Sequence, residues 1–96
     1  MTFKTLSEVR AANAAAGHAF FETQAMGFFN SKIESDLYGG ALFVTSEREK
    51  RKMPPRFTIR RADADGSVST VGEFQQYTFR DDARDAARRL AEAATA

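Results

Sequence analysis

Cysteine and tryptophan are absent from this chain, histidine occurs once, and proline occurs only twice in 96 residues. Without cysteine there is no disulfide, thiolate nucleophile or sulfur-rich zinc site, so the core must hold by burial, and a cytoplasmic compartment is the simpler expectation. His18, the one histidine, would have to anchor any histidine-centred triad alone; beside Gly17 it is expected to pack on Phe20 or Phe21 or to cap a helix. No apolar run approaches the roughly 18 residues that span a bilayer, and Met1 to Leu6 lacks the charged start and apolar middle of a secretion signal. These absences predict a protein that is not an enzyme, carries no cofactor and engages no membrane.

Metal and phosphate motifs fail on spacing. Asp63-Ala64-Asp65-Gly66 looks like the middle of a calcium loop, yet setting Gly66 at the sixth position puts Arg61 first and Gly72 last, where oxygen ligands are required. Gly39-Gly40 is too short to cradle a phosphate and no lysine-serine pair follows it, so it reads as a turn.

What the chain does have is a polarised charge distribution. Its net charge is +1, but Arg48, Lys50, Arg51, Lys52, Arg56, Arg60 and Arg61 face only Glu49 between positions 48 and 61, so that segment carries +6 and the remainder −5. Such a patch attracts phosphates, acidic proteins or anionic membrane surfaces, although a charge run is usually just a solvated loop.

The chain length is that of one domain, 1–96, with one core and no deep cleft. Thr5-Leu6-Ser7-Glu8 has the spacing of a capping box, and the alanine-rich run after it predicts a helix to about Ala16 ended by Gly17. Thr23 to Phe29 predicts a second, short helix with Met26, Phe29 and Ile33 recurring at helical spacing, and the phenylalanines are expected in the core. Ala41 to Ser46 reads as a buried strand because Leu42, Phe43 and Val44 are consecutive apolars.

A basic loop ending in Pro54-Pro55 follows. Arg56 to Arg61 then alternates, with Phe57 and Ile59 predicted inward and Arg56, Thr58 and Arg60 outward to water. Asp65-Gly66 predicts a hairpin, and Ser67 to Phe74 returns antiparallel. Thr78-Phe79-Arg80-Asp81 is read as a second capping box opening the helix Ala83 to Ala94, whose stripe Ala83, Ala86, Ala87, Leu90 and Ala94 faces the sheet. The predicted class is α+β: two N-terminal helices, a three-stranded antiparallel sheet with Ser31 to Ser35 as candidate fourth edge strand, and a C-terminal helix packed on it.

Two resemblances bear on function. Lys4 to Arg10 with Ala12-Asn13, Phe28 to Ser31, Ile33 to Ser35, Phe43 to Glu47 and Gly72 to Gln75 together resemble a family of small proteins of unknown function encoded by bacteriophages, plasmids and bacterial mobile islands. That resemblance implies a mobile-element setting. From Ala41 to Ala94, three strands ending in Gly-x-Phe before an alanine-rich helix resemble the DNA-binding domain of plant ethylene-response factors and some phage integrases. It implies major-groove contact through the sheet's polar face, here Arg56, Thr58 and Arg60.

The expected function is therefore non-catalytic binding of a host protein or nucleoprotein complex, such as a counter-defence inhibitor acting in the bacterial host's cytoplasm. Arg48, Lys50, Arg51, Lys52, Arg56, Thr58 and Arg60 are the candidate contact residues. The alternative is a DNA- or RNA-binding regulator that uses the sheet face.

Overall fold

In the computed structural model of the chain, residues 3–28, 30–50 and 52–95 are described. Helix α1 spans Leu6–Ala15, α2 Thr23–Phe28 and α3 Arg80–Thr95; strands are β1 Lys32–Ile33, β2 Leu42–Glu47, β3 Arg56–Ala62 and β4 Val68–Val71. The strands form one antiparallel sheet in the order β1-β2-β3-β4. The class is α+β, and the fourth strand expected near Ser31 to Ser35 is β1.

Local chemistry sets the helix ends. At α1, the Thr5 hydroxyl accepts from the Glu8 N–H at 3.3 Å, while the Glu8 carboxylate accepts from the Lys4 N–H at 2.6 Å, one residue before the position a reciprocal capping box would use. The helix closes when the N–H groups of Gly17 and His18 donate to the carbonyls of Ala14 and Asn13, a paired C-terminal motif that needs the left-handed φ of +83° at Gly17. Helix α3 begins at Arg80, so Phe79 rather than Thr78 precedes it, and the Thr78 hydroxyl makes no hydrogen bond among the described residues. The second capping box is therefore corrected: the chain is still bridging Tyr77 to Phe57 just before it, which holds Thr78 out of the cap position.

Both faces of the sheet are covered. All six residues of β2 are buried. On one face Leu42, Val44, Phe57 and Ile59 pack against Ala83, Ala87 and Ala91 of α3. The helix stripe thus runs through Ala91, while Leu90 is 44% exposed and Ala94 is exposed, a correction to the expected face. Four-residue spacing of alanines lets α3 lie close: a Cβ on Gly39 would stand 2.9 Å from the Ala91 Cβ.

The second face is closed by the N-terminal segment. Val9 of α1, Phe43 and Ala62 form a second core, with Phe20 edge-on to Phe43 at 6.2 Å and Phe21 stacked on it at 6.1 Å. The β3–β4 turn is pinned beneath α1, where the buried Asn13 side chain donates to the Gly66 carbonyl at 2.8 Å. Gly66 has φ +86°, and a Cβ there would come within 2.5 Å of the Ala12 carbonyl carbon. Glycine is thus demanded twice, by turn geometry and by the close helix. Strand β4 stops at Val71 rather than Phe74 because Gly72 turns the chain with φ +77°.

Candidate functional site

The basic loop extends from the end of the β2–β3 ladder, whose register runs from Leu42 opposite Arg61 to Glu47 opposite Arg56. Arg48 is half-buried at its root, where its carbonyl accepts from Asn30 Nδ2 at 3.2 Å. Lys50, Lys52 and Arg56 are exposed, and among the described residues none of the three makes an ion pair. Arg51 lies outside the described residues. Met53, 45% exposed, donates its N–H to the Lys50 carbonyl at 3.0 Å and stands among these cations.

Two residues that the sequence did not single out for binding adjoin the loop. Phe79, 65% exposed, and Arg80 share a shallow recess of about 340 Å³ with Pro55 at the loop's end. Glu34 and Asp81 also line it, so the recess itself carries two acids against the one cation Arg80. Sequence reading had spent Phe79 and Arg80 on a helix cap.

The expected polar face of β3 is a correction. Arg56 is exposed as expected, but Thr58 is fully buried and the Arg60 side chain retains only 12% of its exposure. Alternation correctly separated Phe57 and Ile59 from Thr58 and Arg60; it could not say that the second face would also be covered. A signal did exist one strand earlier. Leu42-Phe43-Val44 is apolar at both parities, which is the pattern of a strand buried on both sides.

Beneath that cover lies a saturated polar network centred on Glu47, whose side chain is 1% exposed. Its carboxylate accepts from the Thr45 and Thr58 hydroxyls, each at 2.5 Å, and from Arg60 Nη2 at 3.3 Å. Arg60 also donates through Nε to the Thr45 hydroxyl at 3.1 Å and through Nη1 to the Thr70 hydroxyl at 2.6 Å. Its guanidinium lies 5.4 Å from the ring centroids of both Phe20 and Phe74.

Gln75 locks the network from above. Its N–H donates to the Thr58 hydroxyl at 2.9 Å, its side chain to the Glu47 carbonyl at 3.0 Å, and its own carbonyl accepts from Arg56 Nε at 3.0 Å. It does so from a left-handed φ of +58°, a conformation costly for a side chain with a Cβ and kept by these three bonds. A charge this deeply buried is tolerated because each carboxylate oxygen has a donor, and Arg60 neutralises it.

His18 does not pack as a core ring: its Nε2 stands 3.9 Å from Asp65 Oδ2 at the surface, and its N–H closes α1. Hydrogen bonds from the Ser67 hydroxyl and N–H hold the Asp65 carboxyl below its ordinary value. Among the described residues no group of three histidine, aspartate or glutamate side chains converges to hold a metal ion. Among those residues no helix is long and apolar enough to cross a membrane.

No curated protein and no solved structure matches this chain. A family model does match, over residues 5–88, from the α1 cap into α3. That span carries the Asn13 clamp, the Glu47 network and the basic loop, and the chain belongs to this family of unknown function, DUF7447.

Proposed function

We propose that this is a non-catalytic binding protein of a mobile genetic element that docks on an anionic surface of a host protein or nucleoprotein complex, in the manner of a counter-defence inhibitor. The contact surface is the basic β2–β3 loop, with Lys50, Lys52 and Arg56 as cations and Met53 and Phe79 as apolar anchors. One observation carries the reading. Among the described residues, exposed cations without ion pairs stand beside exposed apolar side chains at the end of a ladder whose other residues are buried or bonded. Cations accelerate encounter with an acidic partner and a desolvated aromatic contributes most of the holding energy. The resemblance to mobile-element proteins supplies the setting.

The sheet face lends less support to direct reading of DNA, since Thr58 is fully buried and the Arg60 side chain is mostly covered. Phosphate contact through the loop remains a measurable outcome. Replacing Arg48, Lys50, Arg51 and Lys52 together by glutamine is expected to leave the circular dichroism spectrum and melting curve nearly intact. It should slow association with the partner recovered from host lysate, most visibly at low salt. Equal association rates for the wild type and the folded variant would reject the loop as the contact surface. Gel shifts of duplex and single-stranded DNA across a salt series separate a nucleoprotein target from a protein one, because phosphate binding falls steeply with salt.

A further inference from the structure

We propose that the groove between α1 and the open edge of β1 binds an extended acidic peptide, which adds a strand to the sheet beside Ile33 and sets a carboxylate against Arg10. The groove shares no residue with the contact surface proposed above and is independent of that function. Strand β1 is the first in the sheet order, so β2 covers only one of its edges. The Glu34 N–H donates to the Val44 carbonyl on β2 at 2.8 Å, and backbone groups alternate in direction along a strand, so the Ile33 N–H and carbonyl point away from β2. Among the described residues neither group has a hydrogen-bond partner. An unpaired edge of this kind is a template for a further strand.

Two recesses follow one another along that edge. The first, about 460 Å³, is lined by Leu6, Ala14 and Ile33, and the second, about 430 Å³, by Met26, Gly27 and Lys32. Arg10 and Phe21 line both and so form the wall between them. The Arg10 guanidinium lies 5.4 Å from the Phe21 ring centroid, and among the described residues it has neither an ion pair nor a hydrogen bond. Stacking on the ring leaves the guanidinium's in-plane N–H groups free for a carboxylate. Among the described residues Arg10 and Lys32 are the charged groups lining the two recesses, and no acid offsets them. Charge therefore selects an acidic occupant and the strand edge an extended one. Alternate residues of a strand point the same way, so two apolar recesses on either side of Arg10 read the pattern apolar-x-acid-x-apolar.

The test is a titration of the full chain with the capped peptide TLTETLT, followed by amide and arginine side-chain resonances, with TLTQTLT as the neutral control. Saturable shifts at Arg10, Phe21, Met26 and Ile33 are expected, together with slowed hydrogen exchange of the Ile33 amide. The neutral peptide should bind about tenfold more weakly. Arg10→Gln should weaken TLTETLT by about tenfold and leave the two peptides alike. Ala14→Glu places a carboxylate one helical turn from Arg10, where it competes with the peptide and should weaken binding similarly. Both substitutions are at exposed positions and should leave the melting temperature nearly unchanged. Backbone N-methylation of the peptide should abolish binding, because it removes the donors of the new ladder. Absence of saturable shifts in the folded wild type, shifts confined to the basic loop, equal affinity for the two peptides, or undiminished binding of the N-methylated peptide would each overturn the proposal. A concentration-dependent dimer of the peptide-free protein that shifts the same resonances would identify a second copy as the occupant, and would overturn it too.

Discussion

Arg60→Met tests the buried polar network directly. The substitution keeps much of the aliphatic stem between Phe20 and Phe74 but removes all of the guanidinium donors. Glu47, with a side chain 1% exposed, then loses its neutralising charge, and Thr70 loses its donor. Removing one member of a buried ion pair typically costs about 3–5 kcal/mol. Glu47 keeps the Thr45 and Thr58 hydroxyls, and Arg60 itself is partly solvated, so the lower end, about 3 kcal/mol, is expected.

Against a total stability of about 5–15 kcal/mol for a domain, that is a large loss. Urea unfolding followed by circular dichroism should show the midpoint fall with little change in slope. The double variant Glu47→Leu/Arg60→Met, which removes both charges, should recover most of the loss, since apolar replacements of a buried pair are often neutral or better. A cost below about 1 kcal/mol for Arg60→Met would refute the reasoning, because that is the magnitude of an exposed pair.

Asn13→Ala should destabilise by about 1–3 kcal/mol, leaving the buried Gly66 carbonyl without its donor, and the same melts read it. Gly66→Ala should cost at least as much, since the new Cβ meets the backbone of α1. Thr5→Ala is expected to cost about 1 kcal/mol through loss of the α1 cap, whereas Thr78→Ala should leave the melting curve within about 0.5 kcal/mol of wild type. Asp65 titrates below its ordinary value in the folded state, so its stabilising bonds to Ser67 are present above the ordinary carboxylate pKa and are lost as pH falls through the lowered one. Asp65→Asn should therefore lower stability near neutral pH and flatten its acid-side decline, read from melts at stepped pH.

Local signals in the sequence were enough for the elements themselves. The Thr5 hydroxyl, Gly17, Pro54-Pro55 and Asp65-Gly66 act within a few residues of where they stand, and each marks an observed helix end, strand start or turn. The alternation of Phe57 and Ile59 with Thr58 and Arg60 likewise fixed which residues share a face, because side-chain direction in a strand has a period of two. The exposure of Lys50 and Lys52 followed from their charge, as side chains that rarely bury.

Which faces meet water was decided only by contacts between distant segments. Arg60 is covered because Phe20 and Phe74 flank its guanidinium, and Thr58 because Gln75 bonds its hydroxyl from beyond β4, over a face that local alternation left open. Glu47 became the centre of a network through partners on β3 and a bond to Gln75 across the chain. Phe79 turned outward because Tyr77 pairs with Phe57 just before α3 begins. Periodicity belongs to a single segment and reports direction, whereas burial belongs to a pair of segments and depends on what arrives from elsewhere. A polar residue with a full set of hydrogen-bond partners lies as readily inside as out.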